Sequence, residues 1–247
     1  MNGLKLETKS LSKSYDGRKI IDDINIKLNN NEIVSIIGIS GSGKTTLFNL
    51  LSGLENPDEG SVILDGEDIT SKPGKISYML QKDLLLPHKK IIDNAVLGLM
   101  VKGMSKKEAY KKCDGLFEAF GIEGTKDMYP NQLSGGMRQR VALLRTYLST
   151  EGVALLDEPF SALDNITKGN MHKWYIDMMS KIDLSTIFIT HDIEEAIYLS
   201  DRIYVLGGNP GIIKNEVSID IPRNKREEFI ETLEFLSYKK QLKEMLL

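Results

Sequence analysis

The sequence has a single cysteine, Cys113, and only three histidines. One cysteine excludes an internal disulfide and fits a reducing compartment. There is no excess of positive charge. Lys and Arg number 32 against 35 Asp and Glu, a net charge of −3 that argues against nucleic acid as a partner. No apolar run approaches the roughly 20 residues a membrane span needs. The first residues, MNGLKLETKS, lack the apolar core of a secretory signal. Internal repeats and low-complexity segments are missing too. The expectation is a cytosolic protein that meets a membrane only through a partner. What is present is ordinary for a globular chain: 247 residues, 41% hydrophobic and 27% charged. That length suffices for one large domain, or for one domain carrying an inserted subdomain.

Short strand patterns alternate with helical ones, which predicts an α/β fold. Ile24, Ile26 and Leu28 alternate with polar residues, as in a half-buried strand. IVSIIGI (33–39) is apolar throughout, as in a strand covered on both faces. SVILDG (61–66) predicts a strand running into an Asp-Gly turn, and KISYML (75–80) another strand. From about Asp93 to Leu148 the pattern is helical, with Ala109, Leu116, Phe117 and Phe120 on one side of KKEAYKKCDGLFEAF. Strands resume with VALLD (153–157), STIFIT (185–190) and RIYVL (202–206). A helical tail follows from Arg223, with Phe229, Leu233 and Leu236 at helical spacing.

The segment GISGSGKTT (38–46) fits G-x-x-x-x-G-K-[ST] and lies between a buried strand and the amphipathic stretch LFNLLSGL, the context this motif requires. Its glycines let the backbone curl so that successive amides face phosphate oxygens, and the following helix adds the positive end of its dipole. Gly38, Ser40, Gly41, Ser42, Gly43, Lys44, Thr45 and Thr46 are the candidate nucleotide cradle. Lys44 can reach the β- and γ-phosphates of ATP or GTP, and the Thr45 hydroxyl can bind Mg²⁺. A second anchor is VALLDEPF, a buried strand ending in two carboxylates. Asp157 is the candidate for the metal's hydration shell. Glu158, expected on the opposite side of the strand, is the candidate for orienting or deprotonating the attacking water.

LSGGMRQR (133–140) spends two glycines at the mouth of a helix with no lysine and no metal ligand nearby. Ser134, Gly135 and Gly136 offer a hydroxyl, exposed amides and a dipole, which make a second phosphate-binding surface. One chain already has its full grip on a nucleotide, so a second grip suits a nucleotide held by another molecule. A serine N-cap with a flexible lead-in is the plainer alternative.

With these residues in place the sequence resembles the ATP-binding subunits of ABC transporters, over essentially the whole chain and in the family's motif order. LSGGMRQR resembles the signature motif. The resemblance implies that Tyr15 stacks on adenine and that Gln81, at the junction with the helical subdomain, senses Mg²⁺ or water. It implies that Glu158 is the general base, that Asp164 in SALD (161–164) belongs to the loop coupling two sites, and that His191 is the switch histidine at the γ-phosphate. Read alone, Tyr15 is a packed surface aromatic, Gln81 a polar strand end, Asp164 a helix N-cap and His191 a satisfied strand-end histidine. The implied fold is that of an ABC ATPase: an α/β P-loop NTPase core (1–82 and 151–222), a small antiparallel β subdomain, an inserted α-helical subdomain (83–150) and C-terminal helices (223–247).

The resemblance also implies ATP and Mg²⁺ as cofactors and a homodimer formed on ATP binding, with each site completed by the other chain's Ser134, Gly135 and Gly136. It implies transmembrane permease subunits, indirectly a solute-binding protein, and a place at the cytoplasmic face of the membrane. The fine pattern, QKDLLLPHKKIIDNAVLGL and PGIIKNEVSIDIPR above all, is most similar to the nitrate, sulfonate and taurine importers, with relatives that carry aminopyrimidines. His88 departs from the aromatic usual after Leu-Pro, on a stretch expected to face the permease. The alternatives are an exporter or lipoprotein-release ATPase, a soluble ABC ATPase of repair or translation, and a small-molecule P-loop kinase. The last leaves LSGGMRQR and His191 without a role.

Overall fold

A computed structural model describes residues 3–246. Its first strands are β1 (Leu4–Tyr15), β2 (Arg18–Ile24) and β3 (Lys27–Asn29). The strand expected through Ile24, Ile26 and Leu28 is broken in two, because Asp23 takes φ 48 and the chain turns before β3. The alternation survives the break: all three apolar residues are fully buried. Next come β4 (Ile33–Ile37), α1 (Lys44–Leu51), β5 (Glu59–Leu64) and β6 (Glu67–Asp68). Asp65 and Gly66, at φ 49 and 82, make the expected turn between β5 and β6. Together β2, β1, β5 and β6 form an antiparallel sheet in that order, with β3 also paired to β1.

The strand β7 (Ser77–Met79) is followed by α2 (Ile91–Ala95), α3 (Leu97–Val101), α4 (Lys106–Lys112), α5 (Leu116–Ala119) and α6 (Gly135–Ser149). The periodic stretch around Cys113 is not one helix. Gly115 at φ 77 ends the run and restarts it as α5, leaving Leu116 half-buried while Ala109, Phe117 and Phe120 are buried. Cys113 lies in the same apolar cluster, where burial pushes its thiol up to about 11. The chain then returns through β8 (Val153–Asp157), α7 (Asn165–Met179), β9 (Ser185–Thr190), α8 (Ile193–Leu199), β10 (Arg202–Gly207) and β11 (Ile212–Ser218). It ends in α9 (Arg226–Phe229) and α10 (Leu233–Leu246). The break between α9 and α10 resets the helical phase. Phe229, Phe235 and Leu242 pack inward, whereas Leu233 and Leu236, expected on the same face as Phe229, are exposed.

The second sheet runs β11-β10-β4-β9-β8-β7, parallel except for β11. Its central strands β10, β4, β9 and β8 are buried on both faces because both are covered. Val34, Ile36, Leu155 and Ile187 pack toward α1 and the antiparallel sheet, while Ile33, Ala154, Leu156 and Phe188 pack toward α2–α7. A third cluster joins α8 and β10 to α9 and α10. The fold is therefore a mixed α/β cassette. Its helical segment leaves the sheet at the carboxyl end of β7 and rejoins it at the amino end of β8.

Candidate functional site

The register of the parallel strands decides which residues meet. Ile37 of β4 pairs with Thr190 of β9, Asp157 of β8 pairs with Ile189, and Met79 of β7 pairs with Leu156. The carboxyl ends of four strands thus lie side by side. The loops that leave them carry Gly38–Gly43, His191, Glu158 and Gln81. Crevices beyond strand carboxyl ends are where open α/β sheets hold ligands. Here they form a cavity of about 630 Å³ lined by Gly38, Ser40, Gly41, Gly43, Lys44, Thr45, Thr46, Gln81, Asp157, Glu158 and His191, with Ile20 and Ile189.

The loop's glycines are required by its surroundings. Gly43 adopts φ 93, and a Cβ there would stand 2.4 Å from the Ile21 side chain. A Cβ on Gly38 would meet the carbonyl oxygen of Leu206 at 2.4 Å. Lys44 opens α1 and folds back over the loop, donating to the carbonyls of Gly38 (2.8 Å) and Ile39 (2.9 Å). Burial lowers its pKa, opposed by the nearby Glu158 and Asp157 carboxylates. Ser42 is buried beneath the loop, and its hydroxyl has no hydrogen-bond partner among the described residues.

The two carboxylates part at the end of β8. Asp157 is still in the strand, half-buried, and accepts from the Tyr78 hydroxyl at 3.3 Å. Burial raises its pKa; Tyr78 and Lys44 oppose the shift and Glu158 adds to it. Glu158 does not owe its direction to strand alternation, as the sequence suggested. It lies past the strand at φ 44, a left-handed conformation costly for a side chain of this size. Its amide donates to the Ile189 carbonyl at 2.9 Å. Its carboxylate meets His191 Nδ1 at 3.0 Å through one oxygen and Gln81 Nε2 at 3.0 Å through the other. Ser161 closes the cluster, donating to the Glu158 carbonyl at 2.9 Å while its oxygen lies 3.3 Å from Gln81 Nε2. The glycine-rich loop, the carboxylates, the Gln81 amide and the His191 imidazole thus meet in one place.

Thr45, Gln81 and Asp157 line the same cavity and present hard oxygen donors. Among the described residues there is no group of three or more His, Cys, Asp or Glu side chains able to hold a metal. This set fits Mg²⁺ nonetheless, since that ion takes one or two protein oxygens and completes its shell with water and phosphate.

Five expected residues lie elsewhere. Tyr15 does not line the cavity; its hydroxyl donates to Glu55 and its ring sits 5.6 Å beneath Lys13 Nζ. Asp164 caps α7, accepting from Thr167 N at 3.1 Å, the plainer of its two expected roles. Ser134 caps α6 through Met137 N at 3.3 Å. Gly135 and Gly136 begin that helix, with Gly135 opening onto a neighbouring cleft beside Ser161 and Glu158. Sequence reasoning misses Ile20 and Tyr78, which nothing local marks, and reaches Ser161 only as the first residue of SALD.

Comparison with known proteins agrees with this geometry. A family model described as ABC transporter matches residues 21–161. The formylaminopyrimidine import ATP-binding protein of Halalkalibacterium halodurans is 43% identical over 215 residues, 87% of this chain and 84% of that protein. The nitrate import ATP-binding protein of Synechocystis is 34% identical over 253 residues, 98% of this chain and 95% of that one. Among solved structures, a dimeric post-hydrolysis ATP-binding cassette bound to ADP and Pi superposes with a TM-score of 0.73 at 28% identity, covering 88% of this chain and 100% of that one.

Proposed function

This chain belongs to the ABC transporter family of ATP-binding proteins, and from that premise we propose that it is the ATP-hydrolysing subunit of an importer for a small solute. Its relatives' names span formylaminopyrimidine, nitrate and aliphatic sulfonates, and the solute belongs to that range. The chain works at the cytoplasmic face of the cell membrane, bound to permease subunits that receive solute from a binding protein. No helix of the described residues is long and apolar enough to cross a membrane, which supports a peripheral place.

The observation that carries the reading is the meeting of Lys44, Gln81, Asp157, Glu158 and His191 in one cavity. On ATP binding, Lys44 exchanges the Gly38 and Ile39 carbonyls for β- and γ-phosphate oxygens, and the loop amides from Ser40 to Thr46 take the remaining oxygens. Mg²⁺ held by Thr45, Asp157 and Gln81 would neutralise phosphate charge. Glu158 accepts a proton from the attacking water. His191 donates toward the γ-phosphate oxygens, and Gln81 reports their presence to the helical segment. Two copies pack head to tail about a two-fold axis, so that one surface serves twice. Ser134, Gly135 and Gly136 of each copy then close on the γ-phosphate held by the other, Asp164 links the two sites, and Tyr15 stacks on adenine. That Ser134, Gly135 and Gly136 lie outside the monomer's own phosphate cavity supports a site shared between two copies.

The decisive test is Glu158→Gln. We expect ATP binding to persist, hydrolysis to fall by about 10²-fold or more, and an ATP-bound dimer to accumulate on gel filtration. Turnover at the wild-type rate would remove Glu158 as the base. Pull-down from detergent-solubilised membranes tests the transport half: recovery of a multi-span permease supports it, and recovery of ribosomal or repair proteins alone overturns it.

A further inference from the structure

Behind the hydrolytic face lies a polar cluster, built around a buried carboxylate, that neither the phosphate loop nor the shared surface uses. Glu195, in the first turn of α8, is 3% exposed. One of its oxygens accepts from the Thr190 hydroxyl. The other lies 2.9 Å from His172 Nε2 and 4.0 Å from Lys168 Nζ. Lys168 donates to Asp192 Oδ2 at 2.6 Å, and the Asp192 amide donates to the Thr190 hydroxyl oxygen at 3.0 Å. Thr190 and Asp192 are the neighbours of His191. Both are therefore held from α7, one through His172 and Glu195, the other through Lys168.

A part-buried cluster with a buried carboxylate at its centre is an expensive way to join two helices, since apolar side chains would do so without desolvating ions. What it adds is direction. The His191 side chain is 67% exposed, so little packing holds its ring in place. Its aim at Glu158 depends on the backbone, and the backbone is pinned on each side. Burial works against the Asp192 carboxylate, yet the Lys168 hydrogen bond and charge, with the Glu195 and Glu194 amides, together hold its pKa below the usual value. The same His172 ring packs edge-on against Phe160, with centroids 5.0 Å apart, two residues beyond Glu158.

We propose that Lys168, His172 and Glu195 are positioning residues for hydrolysis, through which α7 sets where His191 stands over Glu158. The inference rests on reading His191 as a group of the reacting site. It makes α7, whose N-cap is Asp164, the rod that carries a change at the Asp164 loop into the phosphate cavity.

The test is steady-state ATPase kinetics on the full chain, normalised to the folded fraction by circular dichroism. The variants are Lys168→Met, Lys168→Arg, Glu195→Gln, His191→Ala and the double variant of Lys168→Met with His191→Ala. Misplacing a reacting group by a fraction of an ångström predicts a kcat loss of about tenfold for Lys168→Met, with KM for ATP held within about twofold. Lys168→Arg restores most of the rate. The double variant is no slower than His191→Ala, because Lys168 acts through a group already gone. Glu195→Gln, which keeps its acceptor for Thr190, follows the same pattern and serves if Lys168→Met fails to fold. Wild-type kcat in both Lys168→Met and Glu195→Gln, or losses that multiply in the double variant, overturns the proposal while leaving the site intact. Wild-type turnover in His191→Ala overturns the reading of the site and this inference with it.

Discussion

At the scale of single residues, the site is a set of groups held in states they would not choose alone. Burial works against the charge of Asp157 and raises its pKa. A carboxyl whose pKa is raised in the fold is protonated in both folded and unfolded chains below the ordinary aspartate value of 3.8, and there its ionisation costs nothing. Above that value the unfolded chain ionises more readily than the folded one, and the fold bears the cost. Asp157→Asn is therefore expected to melt at a higher temperature than wild type at pH 7 without nucleotide, with the gap closing as pH falls below 4. Hydrolysis should be lost. Equal melting curves at pH 7 would mean that the carboxylate carries no burial penalty. Much of this site is legible in sequence because G-x-x-x-x-G-K-T and the strand-end Asp-Glu pair are contiguous signals. Tyr78 and Ile20 are illegible for the opposite reason: one reaches Asp157 and the other the cavity wall by pairing and packing with chain far away, and no local pattern encodes that.

At the scale of elements, the buried strands were the clearest features to read. β4 and β8 are nearly all apolar, as two covered faces favour, and the apolar centre of β9 stands out between its buried Ser185, Thr186 and Thr190. The helical segment was legible as helical, but its breaks were not. Gly115 looks tolerable inside a helix until its positive φ is known, and the pause between α9 and α10 has no marker. Arg226 explains how that C-terminal pair stays docked. It is fully buried and donates to the carbonyls of Ile197 (2.7 Å), Ser200 (2.8 Å) and Ile221 (2.7 Å), which satisfies the carbonyl end of α8. Burial lowers its pKa to about 10, which leaves it charged at neutral pH. Arg226→Ala would strand these carbonyls and open a void. The expected loss is ~3 kcal/mol, a fall of about 10 °C in Tm for a chain of this size. Differential scanning calorimetry decides it, and a change under 2 °C, below the shift of about 1 kcal/mol, would mean that α9 and α10 are held by their apolar contacts alone.

At the scale of the whole molecule, the reading requires that ATP binding and dimerisation be separable by a substitution remote from the bound nucleotide. Ser134→Arg is expected to leave ATP binding to the monomer unchanged, measured by fluorescent-nucleotide titration, and to abolish the ATP-dependent dimer seen with Glu158→Gln. Weakened binding in the isolated monomer would place Ser134 in its own chain's site instead. The way the helical segment is attached gives this arrangement a mechanical meaning. The segment leaves β7 two residues before Gln81 and returns into β8. Between the two, α6 packs along β7, and its first residue, Gly135, lines the same cleft as Gln81 and Ser161. The glutamine that faces one nucleotide and the serine offered to the other are therefore near neighbours on one packed segment. On this reading, whatever displaces the first is felt at the second across a single cleft.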